Sequence, residues 1–218
     1  MKIFFLILSC FLIFGCSKKT EVGSDAELEL NEVKPEAHEV SDRGLGVGAK
    51  APQISTTDID GKSFDLNQTL SASPVILVFY RGGWCPYCSL QLRKLQLEAL
   101  PRIKNAGGKL VAISVDKPGR AVEMKKKENL GMTLLSDPRA KILKAYDVDF
   151  KVPDDLVEKY IKKYKIDLEA HSGEKHHIIA VPAVYVINKS GELTFSYVNE
   201  NYKVRAQVED ILKAVESL

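Results

Sequence analysis

The chain is short of the features that assign a protein quickly. Its 218 residues include four cysteines, one tryptophan and three methionines, so the position of each cysteine is informative. No apolar run reaches the ~20 residues that a membrane-spanning helix needs. Lysine and arginine exceed aspartate and glutamate by only 31 − 29 = +2, and no basic stripe stands out. That balance excludes the electrostatic footprint of a nucleic-acid binder, and no nucleic-acid partner is expected. There is no internal repeat. With 45% hydrophobic and 28% charged residues, the composition suits one well-filled core with additional segments, and the length is short for two domains.

What is present begins at the N-terminus. One lysine, Lys2, precedes an uncharged, largely apolar stretch from Ile3 to Phe14, followed by Gly15, Cys16 and a Ser-Lys-Lys tail. The stretch is too short to span a bilayer and reads as a secretory signal. Ile13-Phe14-Gly15-Cys16 resembles the lipobox of bacterial lipoproteins, which implies cleavage before Cys16 and acylation of its sulfur. Residues 1–16 are thus read as a lipoprotein signal, with ordinary secretion or an uncleaved anchor as alternatives. The expected location is the bacterial cell envelope, on the membrane through the lipid. Residues 17–45, with Glu21, Glu27, Glu29, Glu32, Glu36 and Glu39 and no hydrophobic period, read as a disordered acidic tether. A flexible chain of that length reaches roughly 30 Å. Processing removes Cys10 and engages Cys16, so any intramolecular disulfide of the mature chain joins Cys85 to Cys88.

Residues 46–218 read as one α/β domain. Asp60-Gly61 separates two short extended stretches. Val75 to Tyr80 reads as a buried strand, and Pro86 to about Ala106 as a helix, with Leu90, Leu92, Leu95, Leu97 and Leu100 as its apolar positions. Strand and helix then alternate: Lys109 to Val115, Arg120 to Leu130, Arg139 to Tyr146, Ala183 to Ile187, Glu192 to Val198, and a last helix from about Val204 to Leu218. The alternation predicts a mixed sheet between helices.

The chemistry gathers in VILVFYRGGWCPYC. Cys85 and Cys88 fall where a buried strand ends and a helix starts, a place where unpaired backbone N–H groups favour a thiolate. Pro86 suits the first helical turn. On spacing alone the pair is a redox couple, half of a metal site or two buried thiols.

The segments "VGAKAPQISTTDIDGKSFDL", "VILVFYRGGWCPYC", "VPAVYVINKSGEL" and "NYKVRAQVEDIL" resemble the thioredoxin-fold superfamily, and within it the peroxiredoxins of the alkyl hydroperoxide reductase type. The resemblance implies a thioredoxin-like fold with a central mixed sheet flanked by helices, and a thiol peroxidase that needs no cofactor. Its substrates would be hydrogen peroxide or organic hydroperoxides, with a thioredoxin-type reductant as partner. Laid over the family's P-x-x-x-T-x-x-C, the motif places Arg81 at the proline, Cys85 at the threonine and Cys88 at the peroxidatic cysteine. The match to the family's arginine at the start of the last helix is Arg205, and Val181-Pro182 matches the cis-proline that faces the active cysteine. Trp84 and Pro182 are then the residues expected to meet substrate, and Cys85, Cys88 and Arg205 those expected to be catalytic.

Two rivals stand beside this reading. Trp84-Cys85 also resembles the W-C-x-x-C of thioredoxins, which implies a disulfide oxidoreductase in which Cys85 attacks. Alternatively, Cys85 and Cys88 with one of His171, His176 or His177 would make a copper or zinc binder, although no metal is assigned. Residues Val152 to Ile179 form an insertion relative to the smallest thioredoxin-like folds. Leu156, Tyr160, Ile161 and Tyr164 recur there at helical spacing, and packing is their expected role.

Overall fold

The computed structural model describes residues 42–218; the readings made for residues 1–41, Cys16 and most of the acidic segment among them, lie outside the described residues. The folded body opens slightly before residue 46. Arg43 Nη1 donates to the Asp149 carbonyl at 2.7 Å, the Gly44 N–H donates to the Asp147 carbonyl at 3.0 Å, and the Leu45 N–H donates to the Tyr185 hydroxyl at 3.2 Å. Gly44 makes this close approach at φ +83°, where a Cβ would stand 2.6 Å from the Tyr185 hydroxyl.

A short hairpin comes next, β1 (Ser55–Thr57) against β2 (Ser63–Asp65), with Asp58 Oδ1 accepting from the N–H groups of Asp60 and Lys62 across the turn. Asp65 then caps α1 (Leu66–Ala72) by accepting the Gln68 N–H at 2.8 Å. The main sheet has five strands in the order β5-β4-β3-β8-β9, where β3 is Val75–Phe79, β4 Lys109–Ser114, β5 Thr133–Ser136, β8 Ala183–Ile187 and β9 Leu193–Val198. Strands β3, β4 and β5 are parallel, whereas β8 runs antiparallel to both β3 and β9. This is the expected mixed sheet.

Strand β3 sits in the middle, and every residue in it is buried. Alternation then splits the core in two. Ile76, Val78 and Tyr80 join the layer under the helix that carries the cysteines, with Leu92, Leu95, Ile103 and Ile211; Val75, Leu77 and Phe79 join the other, with Phe64, Tyr146 and Tyr185.

The helix after the cysteines is longer than one regular element. Helix α2 (Pro86–Lys94) passes through a π turn at Leu95–Ala99 into α3 (Leu100–Asn105). The irregularity has a local cause: Pro101 has no N–H to give to the carbonyl four residues back, so the turn before it widens and the Leu100 N–H reaches the Leu95 carbonyl. Leu97, expected among the apolar positions, points to solvent at 76% exposure, because two residues past buried Leu95 lies nearly the opposite face of a helix.

Helices α4 (Pro118–Lys127) and α5 (Lys141–Ala145) follow, the second led in by Asp137, whose carboxylate accepts the N–H groups of Lys141, Ile142 and Leu143. The insertion is a clasped excursion. Strand β6 (Asp149–Lys151) pairs antiparallel with β7 (Ile178–Ala180), and between them lie α6 (Asp154–Lys159), a π turn at Tyr160–Tyr164 and α7 (Leu168–Ser172). The last helix, α8 (Val208–Glu216), starts later than the sequence suggested, because the chain at Gln207 is still extended. Arg205 therefore stands ahead of that helix. No helix among the described residues is long and apolar enough to cross a membrane.

Two leucines of this turn test which of its faces is buried. Leu95→Ala, at a site only 1% exposed, should lower unfolding free energy by about 2–5 kcal/mol in denaturant titrations, whereas Leu97→Ala should stay within about 0.5 kcal/mol of wild type.

Candidate active site

Past Phe79 the chain gives one more hydrogen bond to the sheet, from the Tyr80 N–H to the Ile113 carbonyl at 3.0 Å, and then leaves it. The loop from Arg81 to Trp84 turns tightly enough that the Cys85 N–H reaches the Gly82 carbonyl at 3.1 Å. Gly82 is required here. At φ +153° a Cβ would meet Trp84 Nε1 at 2.3 Å and Asp116 Oδ1 at 3.0 Å. Asp116, fully buried beyond the end of β4, fixes the next residue by accepting the Gly83 N–H at 2.6 Å. Cys85 is the N-cap residue of α2 with Pro86 in the first turn, and the Cys88 N–H closes that turn onto the Cys85 carbonyl at 3.0 Å.

Both cysteines are free thiols, buried at 1% and 0% exposure. Cys88 Sγ accepts the Arg81 N–H at 3.4 Å and faces Arg205 Nη2 at 3.6 Å. Arg205 is itself buried, held by a bond from Nη1 to the Val204 carbonyl at 3.0 Å. Arg205 does not pair with Glu209, four residues on in the sequence, as a surface arginine there could: Glu209 pairs with Arg102 at 3.1 Å.

The sulfurs share their acidity unequally. Cys85 is pulled down to about 6, chiefly by a hydrogen bond from the Cys88 thiol and then by the charges of Arg81 and Arg205, against the opposing effect of burial. Cys88 is pushed up by burial and by donating that bond, while Arg205 and the Arg81 N–H act to lower it. A charge-bearing sulfur in this pair is therefore available at neutral pH.

Arg81, at the position where the family has proline, is buried at 6% exposure. Its guanidinium lies 4.1 Å from the Tyr202 ring centre and 5.0 Å from that of Trp84, and Nη2 donates to the Tyr160 hydroxyl. Tyr160 comes from the insertion, so a residue assigned only to packing reaches the site. Its spacing marked it as an inward-facing helical position, and nothing local pointed to an arginine 79 residues earlier. Beside Arg81 opens a cleft of about 290 Å³, walled by Phe150, Leu156, Ile179, Val181 and Pro182. Pro182 thus lines the cleft, whereas Trp84 stands behind it, its ring 5.7 Å from that of Tyr160. A larger hollow near Pro74 and Asn188 lies at the other end of β3 from the cysteines.

The expected cis-proline is not found. No peptide bond among the described residues is cis, and Val181–Pro182 is trans. The bond keeps the ordinary trans preference of an X–Pro amide, about 0.5–1 kcal/mol, and the flanking backbone is paired, the Val181 N–H with the Val148 carbonyl at 2.8 Å and the Pro182 carbonyl with the Asn199 N–H at 3.1 Å. The histidines are engaged elsewhere: His176 with the Pro138 carbonyl at 2.6 Å, His177 with Glu169 at 2.9 Å, and His171 towards Asp116 at 3.5 Å. Among the described residues no three side chains of the His, Cys, Asp and Glu types gather to hold a metal.

Comparison with known proteins agrees with this architecture. Residues 47–196 match the AhpC/TSA family. The chain is 27% identical over 171 residues to a putative chloroplastic peroxiredoxin Q of Oryza sativa subsp. indica, covering 78% of this chain and 67% of that protein. It is 32% identical over 104 residues to peroxiredoxin Bcp of Escherichia coli strain K12, covering 48% and 65%. Among solved structures, the peroxidoxin BcpB of Mycobacterium tuberculosis superposes with a TM-score of 0.62 at 16% identity, over 80% of this chain and 98% of that one. A reduced 2-Cys peroxiredoxin of Plasmodium vivax superposes with a TM-score of 0.59 at 24% identity, over 78% and 80%. The fold is thioredoxin-like, and the chain belongs to the AhpC/TSA family.

Proposed function

We propose that the protein is a thiol-dependent peroxidase in which Cys88 attacks the peroxide and Cys85 resolves the product. The observation that carries this reading is the placement of Arg205 Nη2 3.6 Å from Cys88 Sγ, with the Arg81 N–H on the same sulfur at 3.4 Å. Once the pair has lost one proton, the two sulfurs share the other. When Cys85 holds it, Cys88 is a thiolate with two donors directed at it, and Cys85 occupies the place of the family's threonine hydroxyl. The Cys88 thiolate attacks one peroxide oxygen and the O–O bond breaks; the departing oxygen leaves, once protonated, as an alcohol or water. Arg205 stabilises the charge that develops on that oxygen. Cys88 is left as a sulfenic acid. Cys85 then attacks the Cys88 sulfur, releasing water and closing the disulfide, and a dithiol reductant of the thioredoxin type restores both thiols. The names of the relatives, peroxiredoxin Q and peroxiredoxin Bcp, support the same activity.

One observation favours a second reading. Cys85 is the sulfur pulled down to about 6, and it is the N-cap residue of the helix, the place of an attacking thiol in disulfide exchange. Single substitutions separate the two. In the first reading Cys88→Ser abolishes peroxide consumption, while Cys85→Ser still forms a sulfenic acid at Cys88 that a trapping reagent tags. The opposite pattern would assign attack to Cys85 and make the protein a disulfide exchanger. Arg205→Ala should slow oxidation by hydrogen peroxide about 10²–10³-fold in stopped flow, the usual cost of a lost donor at a developing oxyanion.

The pH dependence follows from the shared proton. Below about 6 both sulfurs are protonated and no thiolate is available, so ultraviolet thiolate absorbance and peroxide rate should rise together through about 6 and level off above it. Cys88→Ala, which removes the hydrogen bond that does most to lower Cys85, should move the absorbance midpoint upward.

We further propose that the mature chain is held at a membrane of the bacterial envelope through acylated Cys16. The support is the lipobox-like Ile13-Phe14-Gly15-Cys16 after a short apolar stretch. Labelled fatty acid supplied to expressing cells should enter the wild-type protein and not Cys16→Ala; equal labelling would refute the anchor.

A further inference from the structure

Burying a guanidinium is costly unless an anion offsets it, and arginine does not escape the cost by losing its proton. Arg81 is nonetheless enclosed. Tyr202, Trp84 and Tyr160 surround its guanidinium at 4.1, 5.0 and 5.9 Å, and the Tyr160 hydroxyl accepts one of its N–H groups. No carboxylate among the described residues reaches it at ion-pair distance. Glu200, the acid on the cleft that Arg81 lines, is 62% exposed and pairs with Arg43 at 2.9 Å. Asp116 Oδ2 accepts the Gly83 N–H, and its Oδ1 turns to His171 at 3.5 Å. Arg81 shares its loop with the cysteine pair, which can carry negative charge: its backbone N–H contacts Cys88 Sγ at 3.4 Å, and its guanidinium faces Trp84, the residue before Cys85.

We propose that Arg81 is a second charge partner of the Cys85–Cys88 pair, alongside Arg205, and that Tyr160 of the insertion is the positioning residue that holds Arg81 in place. The aromatic faces supply part of the offset for the buried cation while the pair is protonated, and the thiolate supplies the rest once it forms. The charges acting on Cys85 agree, since Arg81 lowers it more than Arg205 does. The titratable and charged groups around the sulfurs are Arg81 at the end of β3, Arg205 ahead of α8, Tyr80, and Tyr160 from the π turn, with Asp116 and His171 behind the loop. Burial raises both tyrosines above their ordinary value, so neither becomes a competing anion at neutral pH. A fixed cation at the family's proline position also compensates a specific loss: the thiol of Cys85 is a weaker donor to its neighbour than the threonine hydroxyl it replaces.

The inference rests on the cysteine pair being the reactive centre, but its test needs only the reduced protein. The pH midpoint of thiolate absorbance is read for wild type, Arg81→Met, Arg81→Lys and Tyr160→Phe, with near-ultraviolet circular dichroism reporting the packing of the surrounding rings. Arg81→Met should raise the midpoint enough to lower the thiolate population at a fixed acidic pH by about tenfold, and Arg81→Lys should recover most of it. Tyr160→Phe, which keeps the ring and removes the hydroxyl, should shift it in the same direction by less. The disulfide reduction potential against glutathione should become more negative with the midpoint, by about 30 mV for a tenfold loss of reduced-state stabilisation. An unchanged midpoint in both Arg81→Met and Tyr160→Phe overturns the proposal. If Arg81→Met loses its packing, Tyr160→Phe decides. A shifted midpoint in a protein that consumes no peroxide would keep this inference and remove the peroxidase reading.

Discussion

Strand β3 is hydrogen-bonded on both sides, to parallel β4 and antiparallel β8, and its side chains fill both faces of the sheet. A strand fixed in that way leaves its last residues no freedom of register, because slipping by one would exchange its two faces between two packed layers. The backbone that emerges at Tyr80 is therefore placed by the whole core. From there four residues, with one obligatory glycine, lead to the first turn of a helix packed under the same sheet. The Arg81 N–H, which has run out of strand partners, goes to Cys88 Sγ. A backbone donor that the sheet no longer uses is thus directed at the Cys88 sulfur.

The two sulfurs are best understood as one acid. They are a single helical turn apart, both shielded from water, and one hydrogen bond between them lowers one thiol as it raises the other. Nearby cations favour loss of one proton from the pair, and desolvation disfavours loss of the second. The two positions are not equivalent: the hydrogen bond between them lowers Cys85 and raises Cys88, while Arg205 acts to lower both. In the proposed reaction the resolving thiol is already adjacent, so a disulfide would require no distant segment to approach.

The parts of this arrangement that could be read in advance are those written locally. Six consecutive buried residues, Val75 to Tyr80, announce a central strand, and Pro86 after a cysteine announces a helix start. Arg205 was legible only through resemblance, since its local pattern suits a surface arginine paired with Glu209 as well. The short strands β5, β6 and β7 were missed because three or four residues carry too little alternation; long-range pairing, not propensity, makes them strands. Leu97 belongs to the exposed face by helical spacing itself, two residues past buried Leu95, so its apolar side chain alone is a poor guide to burial. Tyr160 was invisible as a site residue for a different reason: its significance lies in a contact with Arg81 across 79 positions, and spacing within one helix says nothing about such a partner.

The insertion leaves and rejoins the domain at one place, since β6 and β7 pair with each other where it begins and ends. Once those ends are tied, lengthening the excursion costs little, about 0.6 kcal/mol per doubling for a flexible loop. The clasp thus divides the molecule into a part whose dimensions are fixed by the sheet and a part free to vary in size and sequence. The variable part still reaches the reactive loop, through Tyr160 against Arg81 and Trp84 and through His171 against Trp84 and Asp116. A lineage could therefore retune the acidity of an unchanged cysteine pair by editing a peripheral helix, with every residue of the motif, the strand beneath it and the last helix left as they are.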